Sequence, residues 1–204
     1  MTNLLAAVIT VTGVRPLLFH HFSPSSIPLV KEERSGVAGN DPDEWRKTVL
    51  VTETGQLYLE PSYAFGALRD AAKLTPRKRG TLQPLLTSTL QVPGDRLLVD
   101  RFLPDPIDTD PSNPVYIDVR TVKNPATRGR NIRYRVATSA GWRVTFTAEW
   151  DKTVVSRSEF LAVLLDAGRF CGFGDGRNIG FGRFSVDIER DVVITELTPD
   201  LLGH

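Results

Sequence analysis

A glycine-rich segment near the end of the chain constrains the fold most. Residues 172–184 read GFGDGRNIGFGRF and contain five glycines within eleven residues. Glycine weakens helices and strands, and its main uses are positive φ and close approach to another backbone or ligand. We therefore expect an ordered loop between a helix and a strand. Because the loop carries Arg177 and Arg183, it favours a surface on which a polyanionic backbone lies against protein backbone.

The bulk composition is that of a globular protein with no unusual chemistry. The chain has 204 residues, which suits a single domain with an insertion. Its one cysteine, Cys171, excludes an intrachain disulfide framework and a paired-cysteine metal site. No apolar run reaches the roughly 18 residues of a spanning helix, and the first residues do not resemble a signal peptide. We therefore expect a cytoplasmic protein with no membrane partner.

The charges are segregated along the chain although the formal net charge is only +1. One basic run contains no acidic residue and consists of Arg120, Lys123, Arg128, Arg130, Arg133, Arg135 and Arg143. A second run, interrupted only by Asp70, consists of Arg69, Lys73, Arg77, Lys78 and Arg79. Such clusters are typical either of nucleic-acid-binding surfaces or of solvated basic faces.

The chain reads as alternating strands and helices. Apolar and β-branched stretches predict extended segments at residues 4–14, 50–51, 57–59, 85–92, 96–103, 115–123, 132–150 and 182–190. A helix is expected from Pro61 until Pro76 stops it, and Ser156 with Glu159 forms a capping box that starts another, with Gly168 just past its end. The order predicts an α+β fold with a ferredoxin-like βαββαβ core, elaborated by a hairpin insertion over residues 94–140.

Two segments resemble motifs of the RAMP superfamily of CRISPR-associated proteins. The two Gly-Phe-Gly triplets resemble the superfamily's C-terminal glycine-rich loop. The segment around the first predicted helix resembles a second motif, a strand followed by Pro-Ser-Ser and then Gly-x-Leu-Arg. Its matching positions are Pro61, Ser62, Gly66, Leu68 and Arg69.

The resemblance implies a modified RNA-recognition fold that binds guide RNA. Backbone subunits of the superfamily polymerise along that RNA, and residues 94–140 would be their thumb-like hairpin. In related subunits an Asp after the first strand cuts target RNA, and Asp41 lies in the corresponding loop, although only Gly39 and Asn40 stand for the glycines usual before it. In guide-processing relatives a loop histidine is a general acid or base, which points to His20 or His21.

These observations predict a guide-RNA-binding backbone subunit of a ribonucleoprotein effector, with copies of itself, other effector subunits and target nucleic acid as further partners. The expected RNA-binding residues are Arg69, Lys73, Lys123, Arg128, Arg130, Arg133, Gly172, Gly174, Gly176, Arg177, Asn178, Gly180, Gly182 and Arg183. No cofactor or metal is expected for this role. Three alternatives stay open: a metal-independent endoribonuclease using His20 or His21, target-RNA cleavage by Asp41 with Mg²⁺, and an interaction protein that does not bind RNA.

Overall fold

The computed structural model describes residues 3–21, 41–123 and 130–197. The strands are β1 (Leu4–Gly13), β2 (Leu17–Leu18), β3 (Gln56–Leu59), β4 (Pro76–Arg77), β5 (Gly80–Thr81), β6 (Leu97–Phe102), β7 (Val115–Lys123), β8 (Arg130–Thr138), β9 (Arg143–Asp151), β10 (Phe184–Ser185) and β11 (Val192–Glu196). The helices are α1 (Glu44–Thr48), α2 (Pro61–Ala71), α3 (Gln83–Thr89) and α4 (Arg157–Asp166). This mixture of antiparallel sheets and few helices is an α+β fold.

The main sheet has six antiparallel strands, with β1 and β9 at its centre. β1 pairs with β9 on one side and with β10 and β11 on the other. β9 continues to β6, and β6 pairs with β3 at the edge. Along β1 the alternate residues Leu5, Ala7, Ile9 and Val11 are buried, so one face of the sheet forms the core while the other is left open.

Helices α2 and α4 cover the core face. Ser156 and Glu159 form the predicted capping box, in which the Ser156 hydroxyl accepts from the Glu159 N–H and the Glu159 carboxylate accepts from the Ser156 N–H. The rings of Trp150 on β9 and Phe160 on α4 stack with centroids 3.9 Å apart, which fixes the helix on the sheet. Within the described ranges no helix is both long and apolar enough to cross a membrane.

A smaller sheet of β2, β8 and β7 stands beside the main one. β7 and β8 form a hairpin that pairs from Val115 with Thr138 to Lys123 with Arg130. The hairpin begins later than the predicted bound of residue 94, because β6 belongs to the main sheet and buries Leu97 and Val99 there.

Residues 85–89 of the predicted strand 85–92 belong instead to helix α3 (Gln83–Thr89). Leu82, Leu86 and Leu90 are all buried, and their spacing of four places them on one helical face, with Pro84 in the first turn. The prediction of a strand was therefore wrong here, because the buried leucines repeat with the period of a helix.

The two ends of the α4-to-β10 region also differ from the prediction. Gly168 does not end the helix, which continues as a π turn to Cys171 and is capped by Gly172 with φ +73°. A Cβ on Gly168 would lie 2.4 Å from the Phe184 carbonyl oxygen, so this glycine serves close packing. The predicted strand 182–190 is interrupted, because the Asp187 carboxylate accepts hydrogen bonds from the main-chain N–H groups of Glu189 and Arg190. Pairing with β1 resumes in β11.

Candidate nucleic-acid interface

The glycine loop, residues 172–184, is built largely by its own backbone contacts. All five glycines have φ between +68° and +95°, which L side chains rarely adopt. A Cβ on Gly182 would lie 1.9 Å from the Phe173 carbonyl oxygen. A Cβ on Gly172 would lie 2.7 Å from the Gly182 oxygen, and one on Gly174 would lie 2.5 Å from the Leu18 oxygen. The structure thus gives these three glycines a packing role, and their predicted RNA contact stays a prediction.

Hydrogen bonds and an aromatic cluster fix the base of the loop. The Phe173 N–H donates to the Gly182 oxygen at 3.0 Å, and the Gly182 N–H donates to the Pro16 oxygen at 2.7 Å. The Phe173 ring is buried against Phe184, with centroids 4.6 Å apart, and it also contacts Trp142. The core therefore takes up Phe173 of the first triplet, Gly182 of the second packs against it, and the residues between them are held at the surface.

The bridge, residues 176–180, is the outward part of the loop. Nothing lies within 4 Å of a Cβ placed on Gly180, and Ile179 is 63% exposed. In the described part of the chain the main-chain N–H groups of Gly176, Arg177 and Asn178 have no hydrogen-bond acceptor. Consecutive free N–H groups that follow a left-handed glycine form a concavity suited to an anion.

The two arginines of the loop have different surroundings. The Arg183 guanidinium donates to the main-chain oxygens of Cys171 and Arg177, so it ties the two ends of the loop together. The Arg177 guanidinium instead leaves the loop and approaches Asp70 Oδ2 on α2 at 3.5 Å. Arg177 therefore stands at the surface between the loop and α2, whereas Arg183 serves the loop itself.

The basic end of α2 meets the loop at Asp70. Arg69 and Lys73 each lie 3.1 Å from Asp70 Oδ1. Burial raises the pKa of Asp70, but the hydrogen bonds from Lys73 and Arg69 outweigh it and hold that pKa below its usual value. Three of the predicted RNA-binding residues, Arg69, Lys73 and Arg177, are thus brought together around one carboxylate.

The hairpin is joined to the loop by an ionic chain whose central residues, Arg135 and Asp118, are buried. Arg135 of β8 donates to Asp175 of the loop at 2.6 Å and lies 3.8 Å from Asp118 of β7. Arg120 donates to Asp118 and lies over the Phe181 ring, 4.6 Å from its centroid. These contacts with the glycine loop add to the pairing of β8 with β2 in orienting the hairpin.

The more distal hairpin residues contribute less to the site. Arg133 pairs with Glu44 of α1, so its charge is partly compensated. Lys123 and Arg130 face each other in the last pair of the ladder, and their side chains are not among the parts that the structure describes. Arg128 also lies outside the described residues. Their predicted contacts with RNA stay predictions.

His20 and His21 are adjacent in the chain but have different surroundings. Burial lowers the pKa of His20, with Asp175 and Glu44 opposing this shift and Arg133 and Arg135 adding to it. Among the described residues its Nδ1 has no hydrogen-bond partner. His21 Nε2 lies 3.5 Å from Glu60 Oε1, at the start of α2. Only His20 therefore borders both the glycine loop and the hairpin.

The carboxylates 41–44 are engaged with basic side chains. Asp41 lies 3.8 Å from Lys47, Asp43 lies 3.0 Å from Arg46, and Glu44 pairs with Arg133. The ranges that the structure covers hold no group of three His, Cys, Asp or Glu side chains placed for a metal ion. Cleavage by Asp41 with Mg²⁺ stays a prediction.

The acidic partners of the site were missed by the sequence reasoning, which followed the basic residues. Asp70, Asp118 and Asp175 hold Arg69, Lys73, Arg120, Arg135 and Arg177 in place. The signal was present, since Asp70 interrupts one basic cluster and Asp175 lies inside the glycine loop. Single acidic residues inside basic segments are natural ion-pair partners.

Comparison with solved structures finds many chains of similar fold, 109 in all. No family model matches this chain, and no curated protein matches it. A chain from the cryo-electron-microscopy structure of the Type III-B Cmr-beta bound to cognate target RNA is similar at a TM-score of 0.47 and 11% identity. The match covers 94% of this chain and 60% of that chain. This chain therefore spans less than two thirds of the length of that one.

Proposed function

We propose that this chain is an RNA-binding backbone subunit of a CRISPR-type ribonucleoprotein and a member of the RAMP superfamily. One observation carries the proposal. The two segments that resemble superfamily motifs, 61–69 and 172–184, meet in space where Asp70, adjacent to the first, pairs with Arg177 of the second at 3.5 Å. Together they form one basic surface next to free main-chain N–H groups.

The strand order supports a ferredoxin-like core. If β1, β6, β9 and the β10–β11 edge are the four core strands, their order across the sheet is fourth, first, third, second. α2 lies between β1 and β6 in the chain, and α4 lies between β9 and β10. This is the βαββαβ arrangement, with the β7–β8 hairpin inserted between the second and third core strands.

The chemistry of the surface suits a phosphate backbone rather than a base edge. Arg69, Lys73 and Arg177 offer charge, and the bridge of the glycine loop offers N–H donors. Such contacts position a strand without reading its sequence. The bound strand is guide RNA, and we place copies of this chain, other effector subunits and target nucleic acid around it in the cytoplasm, with no membrane partner.

The test is the nucleic acid that accompanies the protein. The purified protein should show a raised ratio of absorbance at 260 nm to that at 280 nm, yield RNA of discrete length on extraction, and lose that RNA in high salt, because phosphate contacts weaken steeply with salt. Protein that carries no RNA and binds none when RNA is added would contradict the proposal.

A second candidate function is RNA cleavage, and one observation favours it. His20 borders the glycine loop and the hairpin and is only half-buried; its Nδ1 is enclosed, which leaves Nε2 as the candidate base. In this reaction the imidazole takes the proton of a 2′-OH, the 2′-oxygen attacks the adjacent phosphorus, and the P–O5′ bond breaks to leave a 2′,3′-cyclic phosphate and a 5′-oxygen that takes a proton from water. Cleavage in the presence of a chelator, lost in His20→Ala and at a 2′-deoxy position, would establish it; intact RNA would reject it.

A further inference from the structure

Asp70 is a carboxylate on which basic side chains from two distant parts of the chain converge. Oδ1 accepts from Arg69 on the same helix and from Lys73 in the 3-10 turn that follows it, and Oδ2 faces Arg177 of the glycine loop. The Asp70 side chain is 25% exposed, whereas those of Arg177, Arg69 and Lys73 are 37%, 44% and 53% exposed. The carboxylate thus lies beneath the cations, which face solvent.

Asp70 has two opposing effects on an anion at this surface. Its negative charge repels a phosphate, but solvent screens much of that repulsion at a partly exposed site. It also restrains three long side chains that would otherwise have to be ordered when the ligand binds. Because one charge restrains three side chains, we expect the second effect to be the larger.

We infer that Asp70 is a positioning residue that holds Arg69, Lys73 and Arg177 together as one phosphate-binding cluster for the RNA backbone. The inference rests on the proposed function, and it gives a role in RNA binding to an acidic residue, Asp70, within a basic surface. Asp70 does not touch the RNA, and it acts only through the three cations. The cluster keeps an excess of positive charge, since three cations surround one carboxylate.

The experiment compares affinities for a labelled single-stranded oligouridylate by fluorescence anisotropy over a range of salt concentrations. Asp70→Asn removes the negative charge, so charge alone predicts tighter binding and a steeper salt dependence. Positioning predicts the reverse, namely binding about tenfold weaker with a shallower salt dependence. Asp95→Asn is the matched control, because it makes the same charge change at an exposed residue before β6 and should not weaken binding.

A second variant separates positioning from charge and from folding. Asp70→Glu keeps the charge but moves the carboxylate, so positioning predicts weaker RNA binding, whereas charge alone predicts unchanged binding. This variant also decides the question if Asp70→Asn does not fold. The loss in Asp70→Asn should also shrink when Arg177→Ala is present, since the two residues then share one effect.

The outcomes separate the two claims. If the wild-type protein binds no RNA, the proposed function fails. If the wild type binds and either folded Asp70 variant binds as tightly or more tightly, only the role of Asp70 is overturned.

Discussion

Arg135 of β8 donates a 2.6 Å hydrogen bond to Asp175 of the glycine loop, and this contact joins the hairpin to the core. Only 5% of Arg135 is exposed, and its second carboxylate partner, Asp118, is equally buried. A buried charge is tolerated only where it is paired. The pairing therefore fixes how the hairpin stands relative to the loop.

The buried ion pair predicts a large loss of stability in Arg135→Ala. The substitution leaves Asp118 buried with less compensation, and we expect the free energy of unfolding to fall by about 3 kcal/mol. Urea unfolding monitored by tryptophan fluorescence measures it. Arg157→Ala, at an exposed position in the first turn of α4, is the control and should change stability by less than about 0.5 kcal/mol. Equal losses of unfolding free energy in the two variants would contradict the conclusion that Arg135 forms a buried ion pair.

Two glycines of the loop should respond differently to alanine. Both Gly180 and Gly182 have positive φ, so alanine strains the backbone at each by about 1–2 kcal/mol. Only at Gly182 does the new Cβ also meet a carbonyl oxygen, at 1.9 Å. Gly182→Ala should therefore lower the unfolding free energy by at least about 3 kcal/mol, against about 1–2 for Gly180→Ala. Similar values for both in chemical denaturation would show that the loop does not pack as described.

The arginines of the loop should separate binding from stability. Arg177→Ala removes a cation at the surface, so it should weaken RNA binding about tenfold and flatten the salt dependence with little change in melting temperature. Arg183→Ala removes donors to the Cys171 and Arg177 oxygens, so it should lower the melting temperature. Anisotropy and thermal unfolding on both variants check this. Unchanged binding in a folded double variant would reject the loop as the RNA site.

Burial of His20 predicts a dependence of stability on pH. Its pKa is lower in the folded chain than in the unfolded chain, so the unfolded chain takes up the proton first as pH falls. The contribution of His20 to the free energy of unfolding is therefore fully present above about pH 6.5, and it is lost as the pH falls from there through the lowered pKa of His20. In His20→Gln the unfolding free energy should fall less between about pH 7 and pH 5. An identical pH profile for wild type and variant would contradict the lowered pKa of the half-buried His20.

The parts of the fold that depend on local patterns were predictable. β1 follows from its apolar run, and α4 follows from the capping box at Ser156. α3 was not, because Leu82, Leu86 and Leu90 are spaced for a helix within a stretch that also alternates. β11 was missed since its pairing with β1 is a long-range contact that no local signal announces.

The site was predictable in its basic residues and not in its architecture. The glycine loop and Arg177 follow from the sequence, but that Arg183 turns back to the Cys171 oxygen depends on how the loop folds. Ion pairs between Asp70 and Arg177, or Asp175 and Arg135, join residues far apart in the chain. The sequence marks Asp70 and Asp175 as candidate partners, but it does not specify which of the many opposite charges each will meet.

Mapping the RNA on the protein tests the central claim most directly. RNA that contains 4-thiouridine is bound, irradiated and digested, and the crosslinked peptides are identified by mass spectrometry. We expect crosslinks in residues 176–180 of the glycine loop and in the last turn of α2. Crosslinks confined to the open face of the main sheet, around Thr10 and Thr145, would contradict the account.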